Sequence, residues 1–241
     1  MDSKEFASRI KAEKDTADRK IEEENLAKER KEEYSQNKGL IKQYITKAQK
    51  QYYNKNYKEA LEILDKAIEI EPKAAAEAYI LRCQVYMDLE EFEKAMDDIN
   101  EAIKVRPTSG YAYPIRGDMY LKAKAYNEAL NDYETALKYF PKSGSGPTYS
   151  KISNVFFEQG DFIKAIEYCN LAIENGTSDG DIFKTRGWAK NQIGEYNEAI
   201  DDFEEAISKY REYDEDDEFH SEEVNSCEKG IRFANNRIKK K

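Results

Sequence analysis

The residues that could support catalysis or metal binding are few and far apart. The chain has one histidine, His220, and three cysteines, Cys83, Cys169 and Cys227, none of them in a CxxC pair. A Ser/His/Asp or Cys/His site would need His220, and no nucleophile motif lies near it. Zinc sites draw on several Cys and His residues close together. We therefore predict no catalytic residue, no metal site and no bound cofactor, and we do not expect an enzyme.

Two short segments have compositions found in ligand-binding loops. Residues 143–147 read Ser-Gly-Ser-Gly-Pro, but they lack the Lys-Ser/Thr that ends a phosphate-binding loop and no strand precedes them. The acidic run 214–218 lacks the Asp-x-Asp-x-Asp-Gly spacing of a calcium loop. We interpret the first segment as a joint between two repeats and the second as an acidic linker before a helix.

Composition and charge narrow the classes of function. The 241 residues carry a net charge of −10, and 39% are hydrophobic while 37% are charged. Non-specific nucleic-acid binding needs a basic face, so no nucleic-acid partner is predicted. No apolar run approaches the ~18–20 residues of a membrane span, and the first twenty residues are too charged for a secretory signal. Unpaired cysteines suit a reducing compartment, so we predict a cytoplasmic protein.

Three residue columns repeat five times along the chain. Each copy has an aromatic residue, an alanine three positions later and a second alanine seven positions after that. All three columns step by 35, 34, 36 and 34 residues. Such a period predicts a solenoid, in which each unit buries its apolar face only against its neighbours. The columns are Tyr57, Phe92, Tyr126, Phe162 and Tyr196, then Ala60, Ala95, Ala129, Ala165 and Ala199, then Ala67, Ala102, Ala136, Ala172 and Ala206.

Each copy has the spacing of two amphipathic helices. In the third copy, Tyr113, Gly117 and Tyr120 follow i, i+4, i+7, and an apolar stripe from Tyr126 to Leu137 follows after a turn. Pro141 is predicted to end the second helix. Small side chains where helices cross allow a close approach, so a larger residue there would overpack the crossing. The first helices share one column of small residues: Ala48, Cys83, Gly117, Ser153 and Gly187.

The order of small, aromatic and alanine positions is similar to the tetratricopeptide repeat. The resemblance covers residues 41–211 and implies an all-α, right-handed α-solenoid of five helix-turn-helix repeats. Departures are Thr177 and Arg211 in place of the terminal proline, and Gln51 and Lys190 at an aromatic position. In the second copy the pattern reads Tyr79, Cys83, Tyr86, Phe92, Ala95, Ile99, Ala102 and Pro107.

The two ends of the chain are predicted to differ from the repeats. Residues 214–241 form the acidic linker and a capping helix, whose apolar stripe is Val224, Cys227, Ile231, Ala234 and Ile238. Residues 1–40 are charged, and a solvated helix, a segment that folds on a partner and disorder are all open interpretations. We favour an exposed helix that runs into the first repeat. The predicted repeats are about 41–74, 76–109, 110–143, 146–179 and 180–213.

If the chain is similar to other tetratricopeptide proteins, its first helices line a concave groove. That resemblance implies an adaptor or scaffold that binds a peptide or helix of a partner protein, with Trp188 as the favoured hot spot. Packing within the solenoid is the alternative role of these residues. The groove positions are Ile45, Gln49, Tyr52, Ile80, Gln84, Met87, Tyr111, Pro114, Asp118, Leu121, Asn154, Phe157, Lys184, Trp188 and Asn191.

Two further possibilities bear on the partner. Co-chaperone members of the family grip a chaperone's C-terminal carboxylate with Lys, Asn and Arg side chains, and the first three copies lack the basic residues. We therefore predict no such clamp there, although Lys151 and Lys184 leave a weak version open in the last two copies. The second hypothesis for function is a self-assembling spacer, with residues 1–40 or the C-terminal helix mediating an oligomer.

Overall fold

In the described part of the chain every element of regular secondary structure is a helix. A computed structural model describes residues 3–139, 145–212 and 218–240, with side chains for 19–139, 145–212 and 221–240. These residues form eleven α-helices and one short 3-10 turn, Pro72–Ala74. The all-α prediction is confirmed. The helices are α1 (Ser3–Tyr53), α2 (Tyr57–Ile70), α3 (Ala76–Asp88), α4 (Phe92–Val105), α5 (Ala112–Lys122), α6 (Tyr126–Tyr139), α7 (Gly146–Glu158), α8 (Phe162–Glu174), α9 (Gly180–Ile193), α10 (Tyr196–Arg211) and α11 (Glu218–Ile238).

The chain divides into two compact units, Met1–Pro107 and Thr108–Lys241. In the first unit α1 pairs with α2 and α3 pairs with α4, while α2 and α3 join the two pairs. In the second unit the pairs are α5 with α6, α7 with α8 and α9 with α10, and each pair contacts the next. Helix α11 packs on α10 and α9. These are the helix-turn-helix pairs and the capping helix that the sequence predicts.

The alanine columns lie at the centre of this packing. All ten alanines of the two columns are fully buried. The small column gives the predicted close approach, because a Cβ added to Gly117 would lie 2.6 Å from the Tyr133 ring. At Gly187 the corresponding distance to the Phe203 ring is 3.0 Å. A side chain at either glycine would therefore have to displace an aromatic ring of the second helix.

A further set of equivalent residues, one in the turn between the two helices of each repeat, has the left-handed backbone conformation. Lys55, Glu90, Lys124, Gly160 and Gly194 have φ values of 59°, 59°, 58°, 79° and 86°. Left-handed backbone costs a residue with a Cβ about 1–2 kcal/mol, whereas glycine adopts it freely. The turns of the first three copies therefore carry strain that the last two avoid.

Helix α1 is much longer than its partners. From residue 19 to residue 40 nearly every side chain is exposed, and Ile41 is the first one that is buried. The helix therefore continues into the first repeat, and its residues 19–40 lie in solvent. Pro141, predicted to end α6, lies outside the described residues, and so do residues 143 and 144 of the predicted joint. Gly146 and Pro147, at the end of that joint, begin α7.

Candidate functional site

Six of the predicted groove residues lie in the first unit. They belong to α1 and α3, which lie side by side. Gln49 is exposed and the other five are half-buried, so each presents some surface to solvent. The six are Ile45, Gln49, Tyr52, Ile80, Gln84 and Met87.

The remaining predicted groove residues lie in the second unit, on α5, α7 and α9, with Tyr111 directly before α5. Contacts between neighbouring first helices connect them: Lys151 Nζ on α7 binds Asp118 on α5 at 2.6 Å. Thr185 Oγ1 on α9 donates to Asn154 Oδ1 on α7 at 3.2 Å. The set is Tyr111, Pro114, Asp118, Leu121, Asn154, Phe157, Lys184, Trp188 and Asn191, and all but Asn191 are at least partly exposed. Eight of the predicted residues in this unit therefore present some surface to solvent.

Asn191 does not belong to an accessible surface. Its exposed fraction is 2%, and its Nδ2 donates to the Gly230 carbonyl on α11 at 3.1 Å. The prediction that Asn191 lines an open groove is therefore wrong, because α11 covers this side chain. The amide serves to attach the capping helix.

Trp188 is partly buried and packs against the core of the last repeat. Its ring meets the Phe203 ring edge-on, with centroids 5.3 Å apart. The same hydrophobic cluster contains Cys227, with Val224 beside it, so α11 also contributes to it. Trp188 therefore has a packing role, and a truncation there would disturb both the repeat and its cap.

Two carboxylates of the second unit share one arrangement. Asp118 accepts a hydrogen bond from Tyr133 Oη at 2.7 Å and binds Lys151 Nζ at 2.6 Å. Asp181 accepts from Tyr210 Oη at 2.7 Å and binds Lys184 Nζ, also at 2.7 Å. Each tyrosine–aspartate pair is completed by a lysine.

A third tyrosine–aspartate pair lies in the first unit, between the start of α2 and the end of α3. Tyr57 Oη donates to Asp88 Oδ2 at 3.2 Å. The Tyr52 ring centroid lies 5.7 Å from that of Tyr53 and 6.1 Å from that of Tyr57. Burial raises the pKa of Tyr52 to about 12, and its hydrogen bond to Asp88 and the carboxylate charge add to the rise. Three phenol rings therefore lie together, with Asp88 bound to two of the hydroxyls.

Three arginine–aspartate pairs join the two helices of their repeats, a feature that the sequence analysis missed. Each guanidinium binds its carboxylate through two nitrogens at distances between 2.6 and 3.1 Å. A signal was present, since each arginine directly precedes the small column and each aspartate follows the first alanine by three residues. The pairs are Arg82–Asp98, Arg116–Asp132 and Arg186–Asp202.

Two sequence families match the chain. One, described as anaphase-promoting complex, cyclosome, subunit 3, matches residues 53–143. The other, the tetratricopeptide repeat family, matches residues 146–175. The chain is a tetratricopeptide repeat protein. Among curated proteins, none matches this sequence.

Solved structures with the same fold cover most of this tetratricopeptide repeat protein. PilF of Pseudomonas aeruginosa has a TM-score of 0.69 at 15% identity, covering 85% of this chain and 92% of that one. MamA of Desulfovibrio magneticus RS-1 has a TM-score of 0.61 at 20% identity, covering 72% and 97%. YrrB, described as a TPR protein with an unusual peptide-binding site, has 0.53 at 20% identity, covering 73% and 97%. Identities this low establish the fold alone.

The lysines that could contribute to a carboxylate clamp in this tetratricopeptide repeat protein are already paired. Lys151 binds Asp118, and Lys184 binds both Asp181 and Glu223. Burial lowers the pKa of Lys184, but the hydrogen bonds to Asp181 and Glu223 outweigh this effect and the net shift is upward. Both ammonium groups are therefore neutralised by carboxylates of the same protein.

The three cysteines of this tetratricopeptide repeat protein, two in the repeats and Cys227 in α11, are buried and free. Burial raises the pKa of Cys169 to about 11 and that of Cys83 and Cys227 to about 12. Thiols with such pKa values are protonated at neutral pH and react slowly. In the described residues no cluster of three His, Cys, Asp or Glu side chains is placed to hold a metal ion. No described helix is both long and apolar enough to cross a membrane.

Proposed function

We propose that this protein is an adaptor whose first helices bind a peptide or helix of a partner protein. The observation that carries the proposal is the partly exposed row of apolar and amide side chains on adjacent first helices. Leu121 and Trp188 also pack against the core, but the alanine columns hold the centre of each repeat and are fully buried, so the row keeps surface that faces solvent. Exposed apolar strips bordered by polar groups are typical of peptide-binding surfaces.

In the second unit the row combines the two kinds of contact that a peptide needs. Tyr111 is 71% exposed, and Leu121 and Phe157 offer partly exposed apolar surface. Asn154 is exposed and can exchange its bond with Thr185 for one with a peptide backbone. An extended or helical segment lying across α5 and α7 would therefore meet apolar contacts beside an amide. YrrB, a structural neighbour described as having a peptide-binding site, supports this use of the fold.

The charges disfavour two other partner classes. A net charge of −10 opposes binding to nucleic-acid phosphates, so a protein is the favoured partner. A chaperone's C-terminal carboxylate is also a poor ligand, because Lys151 and Lys184 are neutralised by Asp118, Asp181 and Glu223. The buried free cysteines are compatible with action in a reducing compartment such as the cytoplasm. No catalytic step is part of the proposal.

A random peptide library displayed on phage tests the proposal with the full chain as bait. Tyr111→Ala removes an exposed groove residue, and Ile163→Ala removes an equally exposed side chain, also 71%, from α8. We expect the intact protein to select peptides, and the Tyr111 variant to bind them at least fivefold more weakly by calorimetric titration. The Ile163 variant should bind as the intact protein does. Equal weakening by both variants, or no selection at all, contradicts the groove assignment.

A second candidate function, self-assembly, rests on helix α1. Its side chains from residue 19 to residue 40 are almost all exposed, whereas α11 is already packed on α10 and α9. Assembly through α1 is therefore favoured over assembly through α11. Light scattering of the full chain and of residues 41–241 tests this idea: a concentration-dependent dimer that disappears on truncation supports it, and two monomers contradict it.

A further inference from the structure

The strongest unexplained feature is the cluster of Asp88 with Tyr52, Tyr53 and Tyr57. The three rings lie at the end of α1 and the start of α2, with neighbouring centroids 5.7 and 6.1 Å apart. Asp88 ends α3 and accepts a hydrogen bond from Tyr57 at 3.2 Å. Tyr53 is mostly exposed, and so is Asp88. The cluster is therefore accessible to a ligand.

The same chain shows what such a pair binds. Lys151 completes the pair of Asp118 and Tyr133. Lys184 completes the pair of Asp181 and Tyr210, and its Nζ also lies 5.8 Å from the centroid of the Tyr210 ring. In both places an ammonium group meets a carboxylate that a phenol already holds in position.

Asp88 has no such cation. Within the described residues no lysine, arginine or histidine forms an ion pair with it. It is also the last residue of α3, whose final turn contains no basic residue. A negative charge at the C-terminal end of a helix is unfavourable, because it faces the negative end of the helix dipole. A cation arriving from outside would relieve this repulsion.

We infer that Asp88, Tyr52, Tyr53 and Tyr57 form a subsite for a lysine or arginine side chain of a bound protein segment. The carboxylate would pair with the ammonium or guanidinium group, and the tyrosine faces would contact it by cation–π attraction. This inference rests on the proposed function, since Tyr52 is one of the predicted groove residues. It adds a chemical class to that function: the partner segment is basic at the position that meets the end of α3.

A metal ion fits the cluster less well than an organic cation. The site offers one carboxylate and phenol hydroxyls, whereas calcium needs six to eight oxygen ligands. The aromatic faces, which add nothing to metal binding, are what a guanidinium or a lysine stem would contact. The arginines of the repeats behave in this way, since Arg82 pairs with Asp98 and lies 5.7 Å from the Tyr79 ring centroid.

Titration of the full chain with small cations tests the subsite directly by NMR. The probes are Nα-acetyl-lysinamide and Nα-acetyl-argininamide, with Nα-acetyl-norleucinamide as the uncharged control. The test variant is Asp88→Asn. The control variant is Asp97→Asn, which makes the same substitution at an exposed aspartate of α4 in the same unit. Tyr57→Phe keeps the ring and removes the hydroxyl that orients Asp88.

Saturable shifts of the signals of residues 52–57 and 88 are expected with the two cationic probes and not with the norleucine probe. Asp88→Asn should weaken binding at least fivefold, Tyr57→Phe should weaken it less, and Asp97→Asn should leave it unchanged. Thermal melting checks the fold, and Asp88→Asn should melt at the same or a higher temperature because the unfavourable helix-end charge is gone. Shifts that are absent, or that persist in Asp88→Asn, overturn the inference.

The phage selection separates this inference from the proposed function. Peptides enriched in lysine or arginine at one position, with the enrichment lost on Asp88→Asn, support both. If the selected peptides show no preference for a basic residue, the groove proposal is supported and the subsite inference is overturned. If the intact protein selects no peptide, the groove proposal fails, and the NMR titration alone then decides whether the subsite binds cations.

Discussion

Arg116 holds Asp132 through two hydrogen bonds of 2.8 Å that join α5 to α6. Asp132 is only 1% exposed, so its charge is almost wholly shielded from water. Burying a carboxylate is costly unless a cation with good geometry compensates it. The pair therefore fixes how the two helices of a repeat meet, and it recurs at the same positions in two other copies.

Removing one partner of this pair should destabilise the second unit strongly. Arg116→Met leaves Asp132 buried without its cation, which costs about 3–5 kcal/mol in unfolding free energy. The double change Arg116→Met, Asp132→Leu should recover most of the loss, because no charge remains buried. Urea unfolding followed by circular dichroism measures both. If the double variant is no more stable than the single one, the ion pair is not the source of the effect.

The close approach at Gly117 should make this residue intolerant of a methyl group. A Cβ there would lie 2.6 Å from the Tyr133 ring, so Gly117→Ala should cost about 1–3 kcal/mol through overpacking. Gly39→Ala is the matched control, because nothing lies within 4 Å of a Cβ at that position in α1. It should be neutral or stabilise the helix by up to about 1 kcal/mol. Two similar destabilisations would contradict the packing argument.

Relieving the turn strain should stabilise the early repeats. Lys124 has a φ of 58° at the position where the last two copies carry glycine. Lys124→Gly should raise the unfolding free energy by about 0.5–1 kcal/mol, since the strain lost exceeds the entropy cost of glycine. The reverse change, Gly160→Ala, should lower stability. Thermal melting compares the stability of both variants with that of the intact protein. A lower melting temperature for Lys124→Gly would show that the turn is not strained.

Two buried tyrosines should make the protein sensitive to alkaline pH. Burial, together with the nearby carboxylates Asp118 and Asp181, raises the pKa of Tyr133 and Tyr210 in the folded state. A raised pKa in the folded state contributes stability that is complete below the unfolded pKa of about 10 and is lost as the pH rises above it. The melting temperature should therefore fall progressively as the pH rises above about 10.

The double variant Tyr133→Phe, Tyr210→Phe supplies the control for this pH dependence. It should be less stable at pH 8, because two hydrogen bonds are lost, but its melting temperature should fall less between pH 8 and pH 11. The buried cysteines, whose pKa values are also raised, remain in both proteins and their contributions cancel. An equal fall in the two proteins would assign the alkaline effect to other groups.

The sequence predicts the repeat core well because the core is made of local, periodic contacts. Gly117 faces the Tyr133 ring and Gly187 faces the Phe203 ring, and these aromatic residues occupy the same position in their repeats, so the columns identify the helix pairs directly. Surface positions do not share this property. Asn191 and Asn154 belong to the same predicted groove, yet α11 buries the first while the second stays exposed. Which element covers a repeat position depends on packing between distant segments, and the periodic pattern contains no information about it.

The turn and ion-pair columns were overlooked for a different reason. Lys124 and Glu90 are ordinary charged residues, and nothing in their type shows that their backbone is left-handed. Arg116 and Asp132 are 16 residues apart, a separation that corresponds to no single helix period. The arginine and aspartate do recur at fixed repeat positions, but that they pair, and that the turn residues are left-handed, follows only once the paired helices are placed in space.

The packing of Trp188 allows tryptophan fluorescence to report whether the C-terminal helix α11 is attached. It is the only tryptophan in the chain, and it lies in the cluster that Val224, Cys227 and Ile231 of α11 complete. Detachment of α11 would admit water to the indole and shift its emission to longer wavelength. Fluorescence at low denaturant concentrations therefore reports the opening of one end of the repeat array separately from the loss of helix measured by circular dichroism. The protein needs no added label for such an experiment.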